Sequence, residues 1–420
     1  MSRIFRFIIS LGLLFSAGCA SLEPLLASLT PSSSAPIPTK RSTSTPPVIP
    51  TETIAPQSQV PLLRVWLPTQ FDPNAENDPA KLLKQRLADF RVQHAGVQIE
   101  VRLKKSGGGE DVVNALSLTS VAAPNALPDL ILLSRPDLEV AVLKGLLHPI
   151  EGLSTSLEDR NWYAYAQQLA RIQNTGYGLP FAGDTQVLVY YPELGTIINW
   201  KDVFSSKGQL VFSAGNPQGL VGLSLYASAG GEILDAQGAP TLDVDILTRV
   251  LTLVKEGVSK NVFSPSLANV STEAQALQIY RTGKANKGIV WILNYRPSSD
   301  GAVTPLPGLS ETPFSYTTGW VWALAGSNPE HQQLAVKLAE FLVEDDFISE
   351  WTRDTGYLPT RPSSVQEENR TMTAILESAH PIPSDDVLAV LGPLMQEALT
   401  RVLNGEKPED VAESVVQKLK

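Results

Sequence analysis

The sequence predicts an α/β protein with two lobes, and two observations support that prediction. Short apolar stretches typical of buried strands alternate with amphipathic stretches typical of helices, which is the pattern of an open α/β sheet. The chain has 420 residues, more than one hydrophobic core ordinarily supports, so two domains are expected. The stretch Gly176–Tyr191 begins as a turn rich in Gly and Pro and continues as an apolar strand over Val187–Tyr191. We expect the chain to cross there from one lobe to the other.

The first strands and helices follow this alternation. Leu62–Leu67 is predicted to be a strand, and Asp78-Pro79 predicts a helix start, because Asp caps helices and Pro favours their first turn. Apolar and polar residues alternate over Val97–Leu103, which is typical of a half-buried strand. Leu130–Leu133 is continuously apolar, which indicates a parallel strand covered on both faces.

The later part of the chain carries longer helical patterns and two short strands. Spaced apolar residues predict helices at Asp245–Gly257, Glu273–Tyr280 and Asp386–Asn404. Buried strands are predicted at Gly288–Ile292 and Thr318–Leu324. In the second of these strands Trp320 and Trp322 share a face, so we expect at least one of them to pack against a helix.

The first residues are typical of an export signal. Two arginines precede the apolar core Ile8–Phe15, which is too short to span a bilayer. We predict a signal peptide over residues 1–18 and a Ser/Thr/Pro-rich tether over residues 19–61. Cys19, the single cysteine, follows Ser-Ala-Gly and resembles the lipidated cysteine of bacterial lipoproteins. An ordinary signal peptide with an incidental cysteine is the alternative.

Composition and motifs argue against several classes of function. A formal net charge of −10 argues against a nucleic-acid partner. The sequence has no Gly-x-Ser-x-Gly or His-Glu-x-x-His motif, and its 4 histidines are scattered, so we predict neither an enzyme nor a metal site. The glycine-rich stretch Lys105–Glu110 lacks the Gly-Lys-Ser/Thr ending of a phosphate loop, so we predict a plain loop and no cofactor.

Aromatic residues near strand ends favour a carbohydrate site. Tryptophan faces stack on the C–H side of sugars, while Asp, Asn and Gln bond to hydroxyls. The tryptophans in such positions are Trp66, Trp291, Trp320, Trp322 and Trp351. Packing in the core is the alternative for each of them taken singly.

Several short motifs follow one another along the chain. They are Pro128-Asp129-Leu130-Ile131, Gly145-Leu146-Leu147-His148-Pro149-Ile150, Tyr177-Gly178-Leu179-Pro180-Phe181, Gly230-Gly231-Glu232-Ile233, Gly283-Lys284-Ala285 and Gly356-Tyr357-Leu358-Pro359-Thr360. In this order they resemble the extracellular solute-binding lipoproteins of ABC importers, family 1, the carbohydrate-type group. The resemblance covers the chain from Leu62 to the C-terminus. It implies the periplasmic-binding-protein-like (type II) fold, in which two α/β lobes are joined by a hinge that crosses several times.

The solute is then expected in the cleft between the lobes, and the candidate contacts come from two sources. Ligands of open α/β sheets lie beyond the carboxyl ends of strands. This rule selects Thr69, Gln70, Ser134, Arg135 and Asp184. The resemblance adds Tyr226, Trp291, Trp320 and Arg361. We expect Trp291 and Trp320 to stack on the solute, and Gln70, Asp184 and Arg361 to contact its hydroxyls.

The resemblance also implies how the lobes divide and what the protein meets. We expect residues 62–183 and 293–343 in the N-terminal lobe and residues 184–292 and 344–420 in the C-terminal lobe. We expect a monomer at the outer face of the cell membrane, anchored by lipid on Cys19, that delivers its solute to an ABC permease. Two alternatives stay open: a surface-anchored enzyme acting on polysaccharide, and a binding lobe that serves a sensor.

Overall fold

The computed structural model describes residues 61–105, 111–310, 312–365 and 369–419. The predicted signal peptide, Cys19, the tether as far as residue 60 and most of the Lys105–Glu110 loop lie outside these residues. In the described ranges, no helix has both the length and the apolar character needed to cross a membrane.

Strands and helices alternate along the first half of the chain, as the sequence predicts. The strands are β1 (Leu62–Pro68), β2 (Gln98–Lys104), β3 (Leu130–Ser134), β4 (Arg171–Ile172), β5 (Thr175–Gly176), β6 (Gly178–Tyr190), β7 (Leu210–Val211), β8 (Lys287–Trp291), β9 (Ala302–Pro305), β10 (Ser315–Leu324) and β11 (Ala379–Pro381). The helices are α1 (Asp78–Gln93), α2 (Val112–Ala122), α3 (Arg135–Leu143), α4 (Ala164–Leu169), α5 (Trp200–Ser205), α6 (Leu220–Ser228), α7 (Val244–Ser259), α8 (Glu273–Arg281), α9 (Pro329–Phe341), α10 (Asp345–Thr355), α11 (Arg370–Glu377), α12 (Asp385–Leu403) and α13 (Pro408–Gln417).

Among the described residues, nine strands form a mixed sheet with the order β2-β1-β3-β10-β6-β8-β7, to which β11 adds beside β10 and β9 beside β6, while β4 and β5 pair with each other. At its two ends the pairs β1–β2, β1–β3 and β7–β8 are parallel. The central strands β10 and β6 run antiparallel to their neighbours in this order. Parallel ends joined through two long antiparallel strands give two α/β lobes that share a central crossing.

Strand β6 makes this crossing in a single pass. Its first part pairs with β10, whereas its second part, Gln186–Tyr190, pairs with β8 and β9. The prediction of a turn before Val187 is therefore wrong, because the strand is continuous over 13 residues. Its glycines do not make a turn; they let neighbouring atoms lie close to the backbone. A Cβ on Gly178 would lie 2.0 Å from the Trp322 carbonyl oxygen, and one on Gly183 would lie 2.6 Å from the Tyr165 hydroxyl.

The predicted buried strands lie at the centre of the core. Each residue of Leu130–Leu133 is 0% exposed, which confirms the strand covered on both faces. Trp322 is also fully buried, as expected for one of the two tryptophans on β10. A group of stacked aromatic rings continues this core, and Phe181 lies 4.5 Å from Trp351 between ring centroids.

Two segments pack differently from the predicted lobe boundaries. Strand β9, predicted with the first lobe, pairs with the second part of β6, for example Val303 with Val189. Helix α10, predicted with the second lobe, packs on the first part of the sheet through Trp351 and Phe181. The chain returns to the first part of the sheet along β10. The other predicted lobe boundaries stay predictions.

Candidate functional site

Nearly every side chain in the central strands is buried, and the exceptions are few. In β3 only Ser134 is partly exposed, in β6 only Asp184, and in β8 only Trp291. In β10 the partly exposed residues are Thr318 and Trp320. These five residues come from four neighbouring strands, so their shared exposure indicates a single opening over the sheet.

The strand register places these five side chains on one face. Trp320 lies opposite Ser134, and Thr318 lies opposite Asp184. Gln186, two residues beyond Asp184, lies opposite Trp291. Directly opposite residues share a face of the sheet, as do residues two apart on one strand. We call the set of Ser134, Asp184, Trp291, Thr318 and Trp320 the floor of the cleft.

One end of the floor, around Trp320, is aromatic. Phe71, which follows β1, meets Trp320 edge-on with 4.9 Å between ring centroids. Phe71 also stacks on Trp351 and Tyr357, at 5.8 and 5.9 Å. Burial and the nearby Asp184 carboxyl raise the pKa of Tyr357. The Trp320 ring therefore packs, through Phe71, against the aromatic core.

A cavity of about 320 Å³ opens beside this aromatic end. Its lining includes Gln70, Asp72, Trp351 and Tyr357. Gln70 is exposed, as is Thr69, and both lie in the turn after β1. Gln70 therefore lines a solvent-accessible cavity together with Phe71, the residue that packs on Trp320.

The other end of the floor is built around the Asp184 carboxyl. Its Oδ1 atom accepts a hydrogen bond of 3.1 Å from the backbone N–H of Leu293, just after β8. Burial raises the pKa of this carboxyl to about 7, and the negative charge of Glu273 adds to the increase. Asp184 is thus a titratable acceptor at the crossing of β6.

Glu273, the first residue of α8, collects three donors next to Asp184. Its carboxylate accepts from the Ser213 hydroxyl at 2.9 Å, from Asn216 Nδ2 at 3.0 Å and from Gln186 Nε2 at 3.4 Å. Gln186 is 1% exposed, and its Oε1 atom has no hydrogen-bond partner among the described residues. A buried carbonyl oxygen without a donor costs about 1–3 kcal/mol, so this oxygen is a ready acceptor.

Ser134 and Arg135 lie at the start of α3, beyond the aromatic end. The Ser134 hydroxyl caps the helix by accepting from Asp137 N–H at 3.2 Å, so it has a structural task as well. Arg135 pairs with Glu139 at 3.5 Å, and burial lowers the pKa of Arg135. Its Nε and Nη1 atoms are buried without a hydrogen-bond partner in the described structure.

Two predicted contacts are wrong, because their side chains belong to the core. Tyr226 is 0% exposed, and its hydroxyl accepts from the backbone N–H of Asp243 at 2.6 Å. Arg361 is also buried, and its Nε atom donates to the carbonyl of Val343 at 2.7 Å. The Arg361 guanidinium covers the Trp162 ring at 3.7 Å, so it holds two segments together.

Sequence reasoning missed Thr318, Gln186, Glu273 and Tyr357. Thr318 and Gln186 could have been found, since each lies two residues from a predicted contact on the same strand. Glu273 and Tyr357 reach the site from distant parts of the chain. Tyr357 lies in the Gly356–Thr360 motif, which does not by itself mark it as a site residue. In the described residues, no group of three His, Cys, Asp or Glu could hold a metal ion.

The fold and the floor together define a type II periplasmic-binding-protein-like protein, with two α/β lobes and a polar and aromatic face between them. A model of the bacterial extracellular solute-binding protein family matches residues 85–377. The chain therefore belongs to that family, as the motifs predict. No curated protein matches the chain in sequence.

Solved structures of sugar-binding proteins share the fold. Maltose-bound MalE3 from T. maritima is 20% identical, with 85% of this chain and 98% of that chain covered and a TM-score of 0.63. A cyclo/maltodextrin-binding protein in complex with maltotetraose is 20% identical, covering 85% and 96%, with a TM-score of 0.68. The extracellular solute-binding protein from Staphylococcus aureus in complex with maltose is 16% identical, covering 85% and 96%, with a TM-score of 0.64.

Proposed function

We propose that the protein is a receptor that binds a sugar or an oligosaccharide in the cleft and delivers it to an ABC importer. The observation that carries the proposal is the floor itself. Five partly exposed side chains from four strands converge on one face of an otherwise buried sheet. A concave face with apolar rings and a few placed polar groups is the ordinary form of a small-molecule site.

The chemistry of the floor suits a carbohydrate. Trp291 and Trp320 offer ring faces for the C–H side of a pyranose, and Asp184, Thr318 and Ser134 offer oxygen atoms to its hydroxyls. The structural neighbours whose titles name maltose or maltotetraose support the same class of solute.

The crossing strands support a mechanism of delivery by closure. β6 pairs in both parts of the sheet, so a bend along it changes the opening over the floor without breaking either lobe. The closed, loaded form is the one that an importer would recognise. Anchoring of the receptor outside the cell through lipidated Cys19 belongs to the same proposal.

Calorimetric titration tests the proposal with maltose, maltotetraose and cellobiose as probes. We expect saturable binding of at least one sugar, without its conversion to products by chromatography. Trp291→Ala should weaken that binding about tenfold, which corresponds to about 1.4 kcal/mol. Phe204→Ala, a half-buried aromatic on α5 away from the floor, is the matched control and should bind normally. Turnover of the sugar would instead indicate the polysaccharide-active enzyme.

A further inference from the structure

The end of the floor around Asp184 is rich in hydrogen-bond acceptors, and one of them has no donor in the described structure. Asp184 is partly exposed on the floor, and Gln186 lies two residues further on the same face. The Gln186 amide donates its N–H to Glu273 and leaves its oxygen, Oε1, unpartnered and buried. The Glu273 carboxylate completes the set. A solute that satisfies this end must therefore supply hydrogen-bond donors.

The same end carries negative charge without a protein cation. Neither Asp184 nor Glu273 has an Arg, Lys or His within ion-pair distance in the described part of the chain. The guanidinium of Arg135, which follows Ser134 two strands away, pairs with Glu139. An unpaired carboxylate in a partly buried site is stabilised by a cation and destabilised by a further anion.

We propose that this end of the floor binds a primary ammonium group, so that the solute is an amino sugar or an oligosaccharide with a free amine. The inference rests on the proposed function, because it requires a solute in the cleft. An ammonium carries three N–H donors, which match the Asp184 carboxylate, Gln186 Oε1 and the Glu273 carboxylate. A hydroxyl brings one donor and no charge. Hydrogen bonds with ionised partners are roughly twice as strong as neutral ones.

Titration of Asp184 gives the site a pH dependence of known sign. The titratable groups that face it are Glu273 from α8, Tyr165 from α4 and Tyr357 from the segment after α10. The pKa of Asp184, about 7 in the unliganded protein, means that its negative charge grows as pH rises towards neutrality. Binding of an ammonium should therefore tighten between about pH 5.5 and 7, whereas binding of a neutral sugar should not.

Matched sugars test the inference by calorimetric titration of the full chain. The probes are the glucosamine disaccharide with free amines, its N-acetylated form and cellobiose, with glucosamine and glucose as a second pair. We expect the free amine to bind about tenfold or more tightly than its hydroxyl and acetylated counterparts. Equal or tighter binding of the neutral sugars overturns this inference and leaves the proposed function standing. Absence of binding by every saccharide, maltose and maltotetraose included, overturns both.

Carboxyl variants locate the selectivity. Asp184→Asn and Glu273→Gln should each bring the ratio of amine affinity to neutral-sugar affinity to within about threefold, whatever each substitution costs the neutral sugar itself. Asp245→Asn removes an exposed carboxylate of α7 and should keep the full preference. Thermal unfolding of each variant confirms that it is folded. Retention of the amine preference by folded Asp184→Asn overturns the inference.

Discussion

The side chains at the two ends of the floor are held in place by different interactions. At the aromatic end, Trp320 rests on Phe71, which packs in turn on Phe181 and Trp351. At the acceptor end, around Asp184, position is set by hydrogen bonds of about 3 Å to polar groups of distant segments. The stacking surface is therefore continuous with the hydrophobic core, whereas the acceptors are held by a local network. Stability should depend most on the first end and selectivity most on the second.

The largest effect is expected from the core behind the aromatic end. Phe181→Ala removes a fully buried ring that contacts Phe71 and Trp351. We expect the free energy of unfolding to fall by about 3–5 kcal/mol, the range for buried aromatic truncation. Urea unfolding measures this loss. Trp291→Ala, at a partly exposed position of β8, is the comparison and should lose far less. Similar losses in both variants would refute the contrast between core and floor.

The second effect comes from the buried carboxyl at the acceptor end. The pKa of Asp184 is about 7 in the folded protein, against about 3.9 in an unfolded chain. Between these values the folded state binds more protons, so the free energy of unfolding falls as pH rises from about 4 to about 7.

Asp184→Asn should remove this part of the pH dependence. Urea unfolding at about pH 4.5 and pH 7.5 measures the free energy of unfolding at each pH. Between these two pH values, we expect the free energy of unfolding of the unsubstituted protein to fall by on the order of 2 kcal/mol more than that of the variant. The effects of the other titrating groups are the same in both proteins, so they cancel in the comparison. Identical pH profiles would mean that Asp184 titrates as an ordinary carboxyl.

A smaller effect is expected when the stacking ring itself is removed. Trp320→Ala deletes a partly exposed ring but leaves Phe71 packed on Trp351. We expect sugar affinity to fall about tenfold, or about 1.4 kcal/mol, and calorimetric titration measures it. Trp320→Phe should recover most of the affinity, since a ring face is restored. If the Phe variant binds as poorly as the Ala variant, the indole is not a stacking surface.

The smallest effect is expected at Thr318, which lies opposite Asp184. Thr318→Val keeps the shape of the side chain and removes one hydroxyl. The loss should be about 1 kcal/mol or less in binding free energy, the value of one neutral hydrogen bond. Calorimetric titration of Thr318→Val and Trp320→Ala under the same conditions compares their losses of binding free energy. A larger loss than that of Trp320→Ala would reverse the assignment of the floor as primarily a stacking surface.

The sequence predicted a large part of the floor. Strand-end reasoning selected Ser134 and Asp184, and the family resemblance selected Trp291 and Trp320. All four lie on the same face because strand ends and strand periodicity fix both position and direction. Whether they contact a solute stays a prediction.

The parts of the site and the fold that were not predicted depend on tertiary contacts, which a single sequence does not reveal. Tyr226 and Arg361 look like binding residues, yet their polar atoms are used by backbone groups of Asp243 and Val343. The glycines of β6 read as a turn, but Gly183 is there to admit the Tyr165 ring. Such partners are set by tertiary packing, which overrides local propensity.

A crystal structure with the tightest-binding sugar of the probe panel tests whether the floor is the binding site. We predict a sugar ring against Trp291 or Trp320, with one of its polar groups within hydrogen-bond distance of the Asp184 carboxyl. A sugar seated elsewhere would contradict the account, for example in the separate groove of about 780 Å³ lined by Trp200, Arg249 and Glu256.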